Sequence, residues 1–86
     1  MPALVIVHDV DDVDNWLKSP KRAGLFGPQG LSARTFVDPT DPHRVALFIE
    51  GASPADFEKI MQSEGIVDAM AHDGVRGDTL RMLEER

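Results

Sequence analysis

The order of periodic segments in the sequence predicts an α+β fold. Runs rich in Val, Ile and Phe alternate with runs whose apolar residues recur at helical spacing, in the order strand, helix, strand, strand, helix, strand. That order is typical of the ferredoxin-like βαββαβ arrangement, in which a four-stranded antiparallel sheet carries two helices on one face. The 86 residues predict a single domain over 1–86, since a typical domain has about 100–150 residues.

The amino-terminal part of the chain predicts a strand and an interrupted helix. Ala3 to Val10 is rich in Val and Ile, as strands are. Three apolar residues at helical spacing follow an acidic cap: Val13, Trp16 and Leu17. A proline inside a helix removes a hydrogen bond, so we expect the helix to restart with Pro20 behind a Ser19 cap and to reach about Leu25.

The middle of the chain predicts an antiparallel hairpin and the start of a second helix. Strands are expected at Leu31 to Asp38 and at Arg44 to Gly51, because a turn rich in Asp and Pro separates two apolar runs. Ser53-Pro54-Ala55-Asp56 is close to a capping box, with Ser53 as the cap, Pro54 at the first helical position and the acid Asp56 at the third, which favours a helix that begins here.

The last third of the chain predicts a second helical segment and a closing strand. Gly65 interrupts the apolar stripe of the second helix, and Ser63 is expected to cap the segment that follows. Thr79 to Leu83 then has the composition of a short strand before a charged tail.

Alternation along the strands predicts two unlike sheet faces. One class of residues is almost entirely small and aliphatic and is expected beneath the helices: Val5, Val7, Ala33, Thr35, Val37, Val45, Leu47 and Ile49. The other class mixes apolar with polar residues: Leu4, Ile6, His8, Val10, Arg34, Phe36, Ala46, Phe48 and Glu50. A lone subunit would expose this mixed class, and such a patch usually marks an interface. We therefore expect a homodimer in which two sheets pack face to face.

Composition argues against several classes of function. Fifteen acidic residues against nine basic ones give a net charge of −6, which disfavours binding to nucleic acid or to an anionic membrane. No export signal and no apolar run of the roughly 20 residues that a membrane span needs are present, so a cytoplasmic location is expected. The histidines lack metal-ligand spacing and no nucleotide-binding glycine motif occurs, so neither a metal nor a cofactor is expected.

Three polar residues of the mixed class form the candidate catalytic group. His8 is a candidate general acid or base, Arg34 a candidate binder of a carboxylate or enolate oxygen, and Glu50 a candidate base or counter-ion. The alternative is a closed cluster without chemistry, in which these three side chains satisfy one another. Both interpretations stay open at this point.

Three aromatic residues are candidates for contact with a hydrophobic small molecule. Phe36 and Phe48 belong to the mixed class, and Trp16 lies on the stripe of the first helix. The alternative for the phenylalanines is that they fill a dimer interior. The alternative for Trp16 is an ordinary place in the core, which is the commoner situation for a lone Trp on an apolar helix stripe.

The sequence resembles small bacterial proteins of the dimeric α+β-barrel superfamily. The segments that carry the resemblance run in order along nearly the whole chain: His8-Asp9-Val10, Asp14-Asn15-Trp16-Leu17-Lys18, Ser32-Ala33-Arg34-Thr35-Phe36, Asp41-Pro42-His43, Val45-Ala46-Leu47-Phe48-Ile49-Glu50, Ser63-Glu64-Gly65-Ile66-Val67-Asp68-Ala69-Met70, Asp73-Gly74-Val75 and Leu83-Glu84-Glu85. This superfamily includes antibiotic-biosynthesis-monooxygenase-like domains, and the similarity is greatest to members labelled "cyclase".

The resemblance implies a homodimer with a cavity between sheet and helices. It implies either a monooxygenase-like or cyclase-like enzyme that acts without a cofactor on a hydrophobic small molecule, or a non-catalytic homodimeric module that binds a ligand or a partner. The haem-degrading branch uses an Asn, a Trp and a His in its pocket, and here Asn15 and Trp16 are adjacent instead of spread over the fold. Haem is therefore disfavoured.

Overall fold

The computed structural model describes residues 3–86, which form an α+β fold with a four-stranded antiparallel sheet. The strands are β1 (Ala3–Val10), β2 (Ser32–Val37), β3 (Arg44–Glu50) and β4 (Val75–Glu84). The α-helices are α1 (Val13–Lys18), α2 (Lys21–Phe26), α3 (Pro54–Met61) and α4 (Ile66–Asp73), and a 3₁₀ turn follows α2 at Gly27–Gln29.

The strands lie in the order β2-β3-β1-β4, and each neighbouring pair is antiparallel. The helical segments connect β1 to β2 and β3 to β4, while β2 and β3 form a hairpin. This topology is compatible with the ferredoxin-like arrangement that the sequence predicts.

Both predicted helices are interrupted, as expected, but the caps differ in part. Ser53 accepts a hydrogen bond from the Asp56 backbone, and the Asp56 carboxylate accepts one from the Ser53 backbone, so the capping box of α3 is confirmed. The predicted Ser63 cap of α4 is wrong: Gly65 is the N-cap, with a φ of 88°, and the Ser63 hydroxyl donates to the Ile60 carbonyl instead. Glycine adopts this left-handed backbone at low cost.

The register of the sheet corrects the predicted division into faces. In β2 and β3 the two classes pair as expected, since Ala33 lies opposite Ile49 and Arg34 lies opposite Phe48. In β1 the classes are exchanged: Leu4, Ile6 and His8 lie opposite Ile49, Leu47 and Val45, whereas Val5 and Val7 lie opposite Phe48 and Ala46. The sheet face that the helices cover, called the covered face, therefore contains His8. The opposite face, called the open face, contains Val5 and Val7.

The helices cover one sheet face and form the core with it. The largest buried side chains come from β1, β3 and the helical segments: Leu4, Ile6, Val10, Trp16, Phe26, Val45, Leu47, Ile49, Phe57 and Ile60. Burial of these side chains is the main favourable contribution to folding.

Strand β4 is longer than the predicted Thr79–Leu83 and is irregular. Val7 pairs with Arg81 and Asp9 pairs with Arg76, so residues 77–80 of β4 lie opposite His8 alone. The Thr79 hydroxyl fills the gap, because it accepts a hydrogen bond from the Asp9 backbone at 2.8 Å and donates to the Arg76 carbonyl at 2.6 Å. Such irregularities occur often beside active sites, where they redirect a side chain.

Candidate functional site

His8 lies in the core between the sheet and the helices. Its side chain extends from the covered face of β1, only 3% of the residue is exposed, and its ring meets the Trp16 ring edge-on with centroids 5.7 Å apart. Within residues 3–86, no group meets the geometry of a hydrogen bond to its buried Nδ1, although the Ile6 backbone lies near enough to the imidazole to favour its charged form. Buried polar atoms almost always have a partner, so this imidazole requires an explanation.

The His8 side chain lines a small cavity of about 60 Å³. The remaining lining is mostly apolar and comes from β1, β3, β4 and the helices: Ile6, Leu25, Phe26, Leu47, Phe57, Ile60, Met61, Ile66, Ala69, Met70, Val75 and Leu80. Among residues 3–86, Arg22 and Asp73 are the ionisable residues besides His8 that line it. A concave apolar site with a few convergent polar groups has the general character of a small-molecule site.

The surroundings of His8 favour its neutral form. Burial lowers the pKa of His8 below its ordinary value, and the nearby charge of Arg22 adds to this effect, while the backbone of Ile6 and the carboxylate of Asp9 oppose it. A neutral imidazole has one nitrogen that accepts a proton, which is what a general base needs at neutral pH.

Arg22 joins three helical segments beside His8. Its guanidinium lies 4.5 Å from the centre of the Trp16 ring and donates a hydrogen bond of 2.8 Å to the Trp16 carbonyl. Its other neighbour is the buried carboxylate of Asp73 at the end of α4, at 3.8 Å. His72 Nδ1 lies 2.8 Å from that same carboxylate. Burial lowers the pKa of Arg22, and the Asp73 charge opposes this shift.

The structure separates the three predicted catalytic residues. Arg34 lies on the opposite sheet face from His8, with its guanidinium 4.9 Å from the centre of the Phe48 ring. Glu50 pairs with Ser32 at the end of that same open face and is exposed. The prediction that His8, Arg34 and Glu50 share one face is therefore wrong, because β1 presents its even-numbered residues to the helices.

The predicted aromatic contacts also divide between the two faces. Phe36 and Phe48 lie on the open face, where Phe36 is exposed and Phe48 is half-buried. Trp16 belongs to the core, so its alternative interpretation is confirmed, although it packs directly against His8.

Arg22 and Asp73 are the site residues that sequence reasoning missed. Arg22 stands two residues after a proline in a short helix, and Asp73 precedes a glycine at a helix end, positions at which charged residues are usually solvated. No motif marks either of them, and their approach depends on how α2 and α4 pack.

No protein-family model matches the chain, and no curated protein matches it either. Over residues 3–86 the structure brings together no group of three or more His, Cys, Asp or Glu side chains arranged to hold a metal ion. In that part of the chain, no helix has the length and apolar character that crossing a membrane requires.

Proposed function

We propose that the protein binds a small, mostly apolar carbonyl compound in the cavity between sheet and helices, and that His8 removes a proton from it. The observation that carries this proposal is the buried, unpartnered His8 Nδ1 beside an apolar cavity. An imidazole held in such a place costs stability, and a reacting group is one reason to keep it.

The proposed step is the transfer of one proton. A C–H bond next to the carbonyl breaks, its proton forms a bond to a His8 nitrogen, and the electron pair moves onto the carbonyl oxygen as an enolate. The step needs no oxidant and no co-reactant. The step starts from neutral His8, the form that burial favours. It produces an ion pair of the His8 imidazolium and the enolate, in a nonpolar setting where nearby charges act strongly.

The cavity volume limits the substrate. About 60 Å³ is well below the roughly 300–1,000 Å³ of pockets that enclose a drug-sized molecule. The cavity therefore takes a compound of a few heavy atoms, or the reacting end of a longer one. An entire polycyclic molecule does not fit.

The homodimer is part of this proposal. In the described part of the chain, the open sheet face presents apolar side chains that are exposed or half-buried: Val5, Val7, Phe36, Ala46, Phe48 and Leu83. The charged side chains of Arg34 and Glu50 lie among or beside them. A second copy of the same face would exclude water from this patch, in keeping with the dimeric α+β barrel that the resemblance implies.

A second candidate function is a non-catalytic homodimeric module. The small volume of the cavity and the mutual neutralisation of Arg22 and Asp73 favour it, because both are what a filled structural core would show. The unpartnered His8 Nδ1 favours the enzyme over this module.

Deuterium exchange tests the proton-transfer step without knowledge of the natural substrate. Butanone is incubated with the protein in D₂O, and loss of its proton signals beside the carbonyl is followed by NMR. We expect the wild type to accelerate exchange above the buffer rate, and His8→Gln to reduce that acceleration about 100-fold, the usual scale of general-base catalysis.

The matched control is His43→Gln, which removes a histidine that lies in the turn before β3 and does not line the cavity. We expect it to keep the wild-type rate. Equal rates for His8→Gln and the wild type, or no acceleration by the wild type, contradict the proposal and favour the non-catalytic module.

A further inference from the structure

Arg22 lies between two concave regions of the molecule. It lines the inner cavity that contains His8, and it also lines an outer groove of about 350 Å³ between α2 and β2. Phe26 is the one other residue that borders both regions, and Ser19, Ser32 and Thr35 bring hydroxyl groups to the groove. A ligand that extends from the groove into the cavity would therefore pass the guanidinium.

The guanidinium of Arg22 has most of its hydrogen-bonding capacity unused. It carries five N–H donors, and among residues 3–86 it donates one hydrogen bond, to the Trp16 carbonyl. The Asp73 carboxylate, at 3.8 Å, is beyond hydrogen-bond distance. A largely buried guanidinium usually gains a bidentate partner, because the cost of removing its charge from water is otherwise poorly offset.

The Asp73 carboxylate has two neighbours, His72 and Arg22. The oxygen that lies 2.8 Å from His72 Nδ1 is Oδ1, while Oδ2 is the atom nearer to Arg22. The carboxylate therefore supplies charge to Arg22 without a direct hydrogen bond, and the remaining donors of the guanidinium are free for a second acceptor.

We propose that Arg22 binds a carboxylate of the ligand, so that the substrate class is a small oxo acid whose carbonyl end reaches His8. This inference deepens the proposed function, since it concerns the same cavity. A carboxylate suits the planar fork of a guanidinium, which can donate two parallel hydrogen bonds to it. The apolar lining then receives the rest of the molecule.

A pair of probes of nearly equal shape tests the inference: isobutyrate, which is charged, and isobutyramide, which is neutral. Each is titrated into isotopically labelled protein, and the dissociation constant is obtained from amide chemical shifts. We expect isobutyrate to bind at least about tenfold more tightly than isobutyramide. Arg22→Met should abolish that preference. Lys21→Met, which removes the same charge from an exposed neighbour on α2, should preserve it.

A second variant keeps the inference testable if Arg22→Met does not fold. Asp73→Asn retains an acceptor for His72 but removes the negative charge beside Arg22, so we expect it to bind isobutyrate several-fold more tightly than the wild type. The inference would be overturned if the wild type bound the two probes equally or bound neither. It would also be overturned if Arg22→Met and Lys21→Met lost the preference for isobutyrate to the same extent. Neither probe needs to react. The titrations can therefore show no preference for isobutyrate while the protein still accelerates butanone exchange, and a preference for isobutyrate can be found in a protein that does not accelerate exchange.

Discussion

At the scale of single residues, His8 is the one residue among 3–86 with a fully buried side-chain nitrogen or oxygen that lacks a hydrogen-bond partner. A buried polar atom without a partner costs about 1–3 kcal/mol, and the apolar neighbours of His8 contribute nothing that offsets this cost. A Phe at this position would make the same contact with Trp16 without the unpaired nitrogen. The cost is understandable if the imidazole performs chemistry in the cavity.

The pH dependence of stability follows from the burial of His8. Its folded-state pKa lies below 6.5, so the unfolded chain takes up the proton first. The free energy of unfolding is therefore unaffected by this proton above pH 6.5, and it decreases as the pH falls from 6.5 through the folded-state pKa of His8. We expect urea unfolding to show the free energy of unfolding declining as the pH falls below 6.5, in the range above that in which most carboxylates titrate.

His8→Phe should remove most of that decline, at a fixed protein concentration so that dimerisation does not affect the comparison. The same slope in the variant and the wild type would show that His8 is not the group responsible.

The face of His8 could not be predicted from the sequence for a physical reason. Strand β1 is central, so both of its classes are apolar apart from His8 and Asp9, and alternation alone does not say which class meets the helices. Grouping His8 with Arg34 by polarity gave the wrong face. The register with β3 decides it, and register depends on the packing of the entire sheet.

At the scale of elements, the breaks in both helices create the site. Pro20 ends one helical segment and begins another, which places Arg22 on α2 above the cavity, while Gly65 begins α4 and lets Asp73 approach from the other side. The breaks were predictable from Pro and Gly, whose backbone effects are local. The meeting of Arg22 with Asp73 was not, because it depends on how two separate segments pack.

The capping box of α3 should contribute measurably to stability. Ser53→Ala removes the oxygen that accepts from the Asp56 backbone, and loss of such a cap costs about 1 kcal/mol. Ser53→Thr retains a hydroxyl and should lose much less. Chemical unfolding of the two variants checks this, and equal losses would mean that the cap hydrogen bond does not stabilise the helix.

At the scale of the whole molecule, the sheet separates the two sites that we propose. Its covered face holds the His8 cavity, and its open face holds the apolar patch for which we propose a second copy. The apolar side chains of β2 and β3 were assigned to the open face correctly from alternation. The proposed dimer leaves the cavity inside each subunit, so the oligomeric state and the chemistry can be tested separately.

A charged residue in the open face should separate the subunits. Phe36 is 49% exposed, so Phe36→Asp should leave the subunit folded while it places a charge inside the proposed interface. We expect sedimentation at micromolar concentration to show a dimer for the wild type and a monomer for Phe36→Asp. Val67→Asp, at a position on α4 that is 77% exposed, should remain a dimer. A monomeric wild type contradicts the proposed assembly.

The location of ligand binding tests the central claim most directly. Butanone is titrated into labelled protein while the backbone amide shifts of the covered and open faces are compared. We expect the shifts that respond to cluster around the cavity, at His8, Arg22 and Ala69. Responses confined to Phe36 and Phe48 on the open face, or no saturable response at all, would contradict the claim that the cavity is the functional site.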